Sequence, residues 1–252
     1  MIAVEQRPAV ARPRTDTPPM PREHGAWGIL LIPFATAVGV SGVFDLKGAL
    51  LLASVLCFYV ARTSWLKGSV KWTAVLLAGS GACVAPLLII WHLWWIAVFG
   101  AVAAPLAFRK TERSVAMQLL AVAGLTLTAP AAWYTAMLQI DRRAWLLWLL
   151  NALYFAGGVF YVKMHVAAAI RRKPFVSSIE KIRFGSITLL YHGALAVLGV
   201  FLWPAGLAYA PVVVRAVAGV WRLSPTLRIR RLGWTEVAYS VAFAGILIAA
   251  LR

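Results

Sequence analysis

The sequence predicts an all-α, polytopic integral membrane protein of nine transmembrane helices, and three observations carry that expectation. Hydrophobic residues make up 62% of the 252 residues and charged residues only 13%, whereas a soluble domain carries roughly a quarter of its residues charged. Apolar runs long enough to cross a bilayer, about 20 residues each, recur from end to end. No stretch alternates apolar and polar residues over roughly 10 positions, as the strands of a transmembrane barrel would.

Residues 1–22 contain Pro8, Pro13, Pro18, Pro19 and Pro21 in a polar, basic context. Such a composition buries too little to pack, so this part is expected to be a disordered cytoplasmic tail. It does not read as a signal peptide, because the apolar run behind it lacks a clear small-residue cleavage site. Residues 23–252 form the expected membrane domain, with apolar segments at 25–44, 46–63, 72–90, 92–108, 115–138, 144–164, 184–203, 205–222 and 233–251. The third and fourth together are too long for one span. They divide at "IIWHLWW", where Trp91, Trp94 and Trp95 suit the interfacial aromatic belt and His92 the turn. The longest connection, "HVAAAIRRKPFVSSIEKIRF", begins rich in alanine and can prolong the sixth helix until Pro174 stops it.

Charge fixes the expected orientation. With the N-terminus inside, 20 of the 25 Lys and Arg fall on the cytoplasmic side and four outside, while Arg215 lies within the eighth segment. This is the positive-inside asymmetry of a multi-pass protein of the cell membrane, with the C-terminus outside. The formal net charge of +17 is therefore a matter of orientation, and no nucleic-acid partner is expected. Cys57 and Cys83 lie in apolar runs, where thiols behave as small hydrophobes.

At "HGAWGILLIPF" the chain resembles the YwiC-like family of bacterial membrane proteins, which carry a His-Gly-Ala-Trp segment at the start of the first helix. "RRLGWTE", before the last helix, is similar as well. The likeness implies a membrane protein but no activity to carry over. Nine helices with the N-terminus inside also resemble the UbiA superfamily of intramembrane prenyltransferases. That resemblance implies aspartate-rich motifs on helices 2 and 6 holding magnesium and a prenyl diphosphate. Here those helix ends read "FYVARTSWLKG" and "FYVKMHVAAAIRRK", with no acid in either. Magnesium needs hard oxygen ligands, so the likeness concerns fold, which does not carry function.

The candidate chemistry lies in ionisable groups in or near the membrane, which are costly there and often functional. Glu23, His24, Arg62, Lys163, His165 and Glu236 gather on the expected cytoplasmic half. His192 is placed about 12 Å and Arg215 roughly 10 Å deep, at 1.5 Å per residue. Arg62 and Lys163 either snorkel to the headgroups or bind an anionic group directly. Arg215 is too deep to snorkel and is expected to pair within the bundle, with Glu236 as the partner. His192 reads first as a neutral interhelical hydrogen-bond partner, with Tyr191, Tyr154 or Asn151 opposite. Glu23, His24 and His165 are the groups placed to move protons near neutral pH.

No metal site is expected, since HExxH and paired Cys/His spacings are absent, and no cofactor is expected. Two functional readings stay open, with catalysis undecided. One is a protein that binds or modifies an isoprenoid or other amphipathic anion in a cavity facing the cytoplasm, with membrane lipid as its partner. The other is a transporter or accessory protein in which Glu23, Glu236 and Arg215 form a charge-coupled pathway. The oligomeric state is left open.

Overall fold

The structure, a computed structural model, describes residues 17–20, 24–108, 114–171, 173–226 and 229–252, without the side chains of 24–26, 107–108 and 229–231. Every regular element among the described residues is helical, as an apolar chain in lipid requires, because a helix satisfies its own backbone polar groups. The first four helices are α1 (His24–Ser41), α2 (Leu46–Leu66), α3 (Val70–Ile89) and α4 (Trp95–Phe108). There follow α5 (Val115–Leu125), α6 (Thr128–Met137), α7 (Arg142–Arg171), α8 (Ser178–Phe184) and α9 (Ser186–Phe201). A 3-10 turn at Ala205–Tyr209 leads into α10 (Ala210–Trp221), and α11 (Ile229–Leu251) completes the chain.

Local chemistry sets the boundaries. The Asp45 carboxylate accepts from the Gly48 N–H at 3.1 Å and caps α2. Asp141 likewise accepts from the N–H groups of Arg143 and Ala144, both at 3.0 Å, at the start of α7. Each satisfies an otherwise unpaired first-turn donor. The α2–α3 hairpin turns through Gly68 at φ +75°, a left-handed conformation that costs glycine nothing. The expected break at "IIWHLWW" is present: α3 stops at Ile89 and α4 starts at Trp95, with His92 left-handed at φ +54° between them.

Some details go beyond the expectation. The segment 115–138 is one span-length stretch, Val115–Met137, divided at residues 126–127 into α5 and α6, where the Thr126 hydroxyl donates to the carbonyls of Val122 and Ala123. Such back-bonding bends helices. The sixth helix is prolonged through its alanine-rich run to Arg171, as that composition led one to expect, which leaves Lys163 and His165 within α7. A separate helix, α8, precedes α9 at an angle of 71°. Five helical stretches are long and apolar enough to cross a membrane, or six with the bent α8–α9 pair, counting described residues only. The other apolar helices are shorter: Trp27–Ser41, Trp95–Leu106 and Ala205–Trp221.

The core forms where α1, α6, α7 and α11 pack together, with Phe34, Leu147, Leu150, Tyr154, Phe243 and Leu247 buried. A second, smaller cluster joins Tyr161, Met164 and Ala168 to Val220 and Leu223. The outer faces are apolar too: Leu190, Val197 and Val200 on α9, and Val214 and Val217 on α10, are exposed. In water such a surface would aggregate; in hydrocarbon it is the matching solvent.

Candidate functional site

Two places in the bundle carry features that packing alone does not require. The first is a cavity of about 210 Å³ enclosed by α1 to α6. Leu30 of α1, Leu51, Val55 and Phe58 of α2, Val84 of α3, Ile96 and Phe99 of α4, and Leu125 of α5 make it apolar. Ser54 and Ser80 lie in the wall and hydrogen-bond each other at 2.8 Å. That contact offsets the cost of burying two hydroxyls. Among the described residues, Arg62 is the one charged side chain lining the cavity. It stands one turn from the C-terminal end of α2, at the end of the bundle where Lys67 donates to the Met20 carbonyl at 3.2 Å.

The second place is a buried polar cluster between α7, α10 and α11, with α9 alongside. Arg215 of α10 donates from Nη1 to Glu236 Oε1 of α11 at 2.5 Å. The two side chains are only 6% and 16% exposed. The guanidinium also lies over two rings, Tyr161 of α7 at 4.3 Å and Tyr239 of α11 at 4.9 Å. Gly219, one turn beyond Arg215, lets α10 sit against Tyr161: a Cβ there would fall 2.5 Å from the ring. The pairing of Arg215 with Glu236 expected from depth is thus present, and two tyrosines add to it.

Two histidines extend the cluster along α7. The rings of His165 and Tyr161 meet edge to face at 4.6 Å. His192 of α9 is 1% exposed, and its Nδ1 lies 2.8 Å from the Thr188 carbonyl. That oxygen can only accept, so Nδ1 carries the proton and Nε2 of the neutral ring is a bare acceptor. The partners expected for His192 are engaged elsewhere. Tyr191 donates to the Leu153 carbonyl, Tyr154 meets the Ser240 hydroxyl, and Asn151 donates to Thr36 and to the Leu147 carbonyl. Among the described residues, His192 Nε2, His165 Nε2 and Arg215 Nε have no partner within the protein.

The sequence candidates therefore separate. Arg215, Glu236, His165 and His192 come together, and Arg62 stands apart at the cavity. Lys163 is half-buried on α7 and is not among the residues lining the cavity. Glu23 lies outside the described residues, and of His24 only the backbone is described, as the first residue of α1. Tyr161, Tyr239, Ser54 and Ser80 were not anticipated. Spacing held a signal for the tyrosines, since Tyr161 is one turn before His165 and Tyr239 one turn after Glu236, each on the same helix face.

With the geometry in view, comparison with known proteins adds a family likeness. Residues 20–133 match the family model described as YwiC-like protein. The chain is also 28% identical to the uncharacterized protein YwiC of Bacillus subtilis over 161 residues. That alignment covers 57% of this chain and 65% of the relative, less than two thirds of its length. No solved structure matches significantly. Every residue lining the cavity falls within the YwiC-like stretch, whereas Arg215 and Glu236 fall beyond it.

Proposed function

We propose that this protein binds an anionic amphiphile within the membrane, its hydrocarbon part in the cavity between α1 and α6 and its headgroup at Arg62. The observation that carries this reading is the composition of the cavity wall, mainly apolar, with a few hydroxyls and one guanidinium among its described residues. Apolar pockets with a few placed polar groups are the usual form of a ligand site. Arginine suits phosphate and carboxylate groups because its planar fork offers paired donors. Isoprenoid phosphates and single-chain acidic lipids have the matching chemistry.

On this reading the chain spans the cell membrane nine times in a UbiA-like bundle. The N-terminus and the Arg62 end face the cytoplasm, as the charge distribution favours. The UbiA likeness would bring magnesium and a diphosphate, but the cavity wall does not fit that ion. Its described residues include no carboxylate, and magnesium is held through carboxylates together with the phosphates. Arg62 takes over the charge compensation directly, and no step through a metal is derived.

The test is mass spectrometry of lipid that co-purifies with the full-length protein in mild detergent. Wild type should carry an anionic amphiphile, Arg62→Ala should lose most of it, and Arg62→Lys should keep part. Lys163→Ala, remote from the cavity wall, should leave occupancy unchanged. Equal occupancy in wild type and Arg62→Ala would overturn the assignment.

A further inference from the structure

The unpartnered nitrogens of the buried cluster point to a second, separate ligand position. His192 and Arg215 are both more than nine-tenths buried. Yet His192 Nε2 and Arg215 Nε find no complement within the protein, and neither does His165 Nε2. In lipid an unsatisfied polar group costs several kcal/mol, so three in one cluster call for something that completes them.

Their hydrogen-bonding character selects what that is. His192 Nε2 can only accept, because Nδ1 holds its proton against Thr188. Arg215 Nε–H can only donate. An anion would satisfy the donor and repel the acceptor lone pair, and a cation would do the reverse. A neutral hydroxyl both donates and accepts. Among the described residues, no group of three His, Cys, Asp or Glu side chains is placed to hold a metal ion.

Position along α7 gives the extent. A Cβ at Gly157 would lie 3.1 Å from His192 Nε2, so that nitrogen faces α7 at residue 157. Arg215 lies over Tyr161, the next turn, and the His165 ring meets Tyr161 from the turn after that. Residues 157, 161 and 165 share one helix face and cover about 12 Å at 1.5 Å per residue. One small ligand cannot reach all three atoms, but a file of hydroxyl groups can. We propose that α7, α9, α10 and α11 enclose a hydrated track that leads from His165 past the Arg215–Glu236 pair to His192. The bare His192 Nε2 is its terminal hydrogen-bond and proton acceptor. The occupants are a file of hydroxyls, supplied either by waters or by the several alcohol groups of a bound lipid.

Radiolytic hydroxyl labelling of the full-length protein, read by mass spectrometry, tests this, because ordered internal water modifies the side chains it touches. His192, which is 1% exposed, should label several-fold faster than Phe243 and Leu247, which are fully buried, and Tyr161 and the half-buried His165 should label at least as fast as His192. Labelling in the protein as purified identifies water as the occupant. Labelling that rises only after delipidation identifies a lipid alcohol. Failure of Tyr161, His165 and His192 to label above Phe243 under both conditions would overturn the proposal. A Gly157→Ala variant, which crowds His192 Nε2, should lower labelling at His192 and leave His165 labelled.

Discussion

The Arg215–Glu236 pair makes an asymmetric prediction. Both side chains are nearly inaccessible and the Nη1–Oε1 distance is 2.5 Å. Removing one member of a buried pair strands the other, at a cost of about 3–5 kcal/mol. The two members differ, however, in how they bear that loss. A guanidinium cannot shed its proton, so Glu236→Gln leaves a permanent charge met only by a neutral amide oxygen and the faces of Tyr161 and Tyr239. Those faces contribute roughly 0.5–2 kcal/mol each and are present before and after the change. Glu236→Gln is therefore expected to cost about 3 kcal/mol or more. In Arg215→Met the stranded carboxyl can take up a proton and become neutral, which reduces the loss to about 1–3 kcal/mol. The double variant Arg215→Met, Glu236→Met removes both charges and should lie within about 1 kcal/mol of wild type or above it. Reversible unfolding in mixed micelles, followed by tryptophan fluorescence, supplies the values, with Glu236→Met as the single variant that closes the double-mutant cycle. Single-variant costs that simply add in the double, or a Glu236→Gln variant as stable as wild type, would refute the reasoning.

Two further predictions rest on other contacts. A Cβ at Gly206 would lie 1.9 Å from the Gly199 carbonyl oxygen, a backbone atom that no rotamer change can move. Gly206→Ala should abolish folded protein on size exclusion, whereas Gly193→Ala, with nothing within 4 Å of its Cβ, should elute as wild type. Glu180, in the connection between α7 and α9, is held below the ordinary glutamate range by its hydrogen bond from Arg171 and then by the Val176 N–H. With the folded value depressed, its contribution to stability is full above the unfolded glutamate value and disappears as pH falls through the folded one. The melting-temperature difference between wild type and Glu180→Gln should therefore close on acidification, and a difference constant into strong acid would contradict the assignment.

The helices were legible because a span must be apolar over its whole length, and His92 among three tryptophans marks a turn on composition alone. Breaks inside apolar sequence were not legible. The break between α5 and α6 depends on a threonine bonding back to its own helix, and threonine is common in unbroken helices too. The bend between α8 and α9 occurs at Gly185, where α8 ends against Val220 and Met164, contacts that sequence spacing cannot supply. The cavity was hidden for a more general reason. In lipid the outer face of a helix is as apolar as the inner one, so periodicity no longer separates core from surface. Leu51 in the core and Val200 on the outside are chemically alike, and only the fold distinguishes them. Arg215 and Glu236 escaped this degeneracy because a charge at depth must find its counter-charge.

That same degeneracy decides which arginine faces a ligand. Arg215 is the deeper and more buried of the two cations, and on sequence alone it is the more conspicuous. Its charge is already met by the Glu236 carboxylate and by two tyrosine faces, so the cluster as a whole has little positive charge to offer an anion. Among the described residues of the cavity wall, Arg62 is the one that carries a charge, and the proposed headgroup is assigned to it on that ground. On the proposed reading, an anionic headgroup is matched to Arg62 and neutral hydroxyls to Arg215 and the histidines. The two proposed ligands differ because the buried Arg215 already holds a carboxylate between two rings, while the half-buried Arg62 borders a mainly apolar cavity.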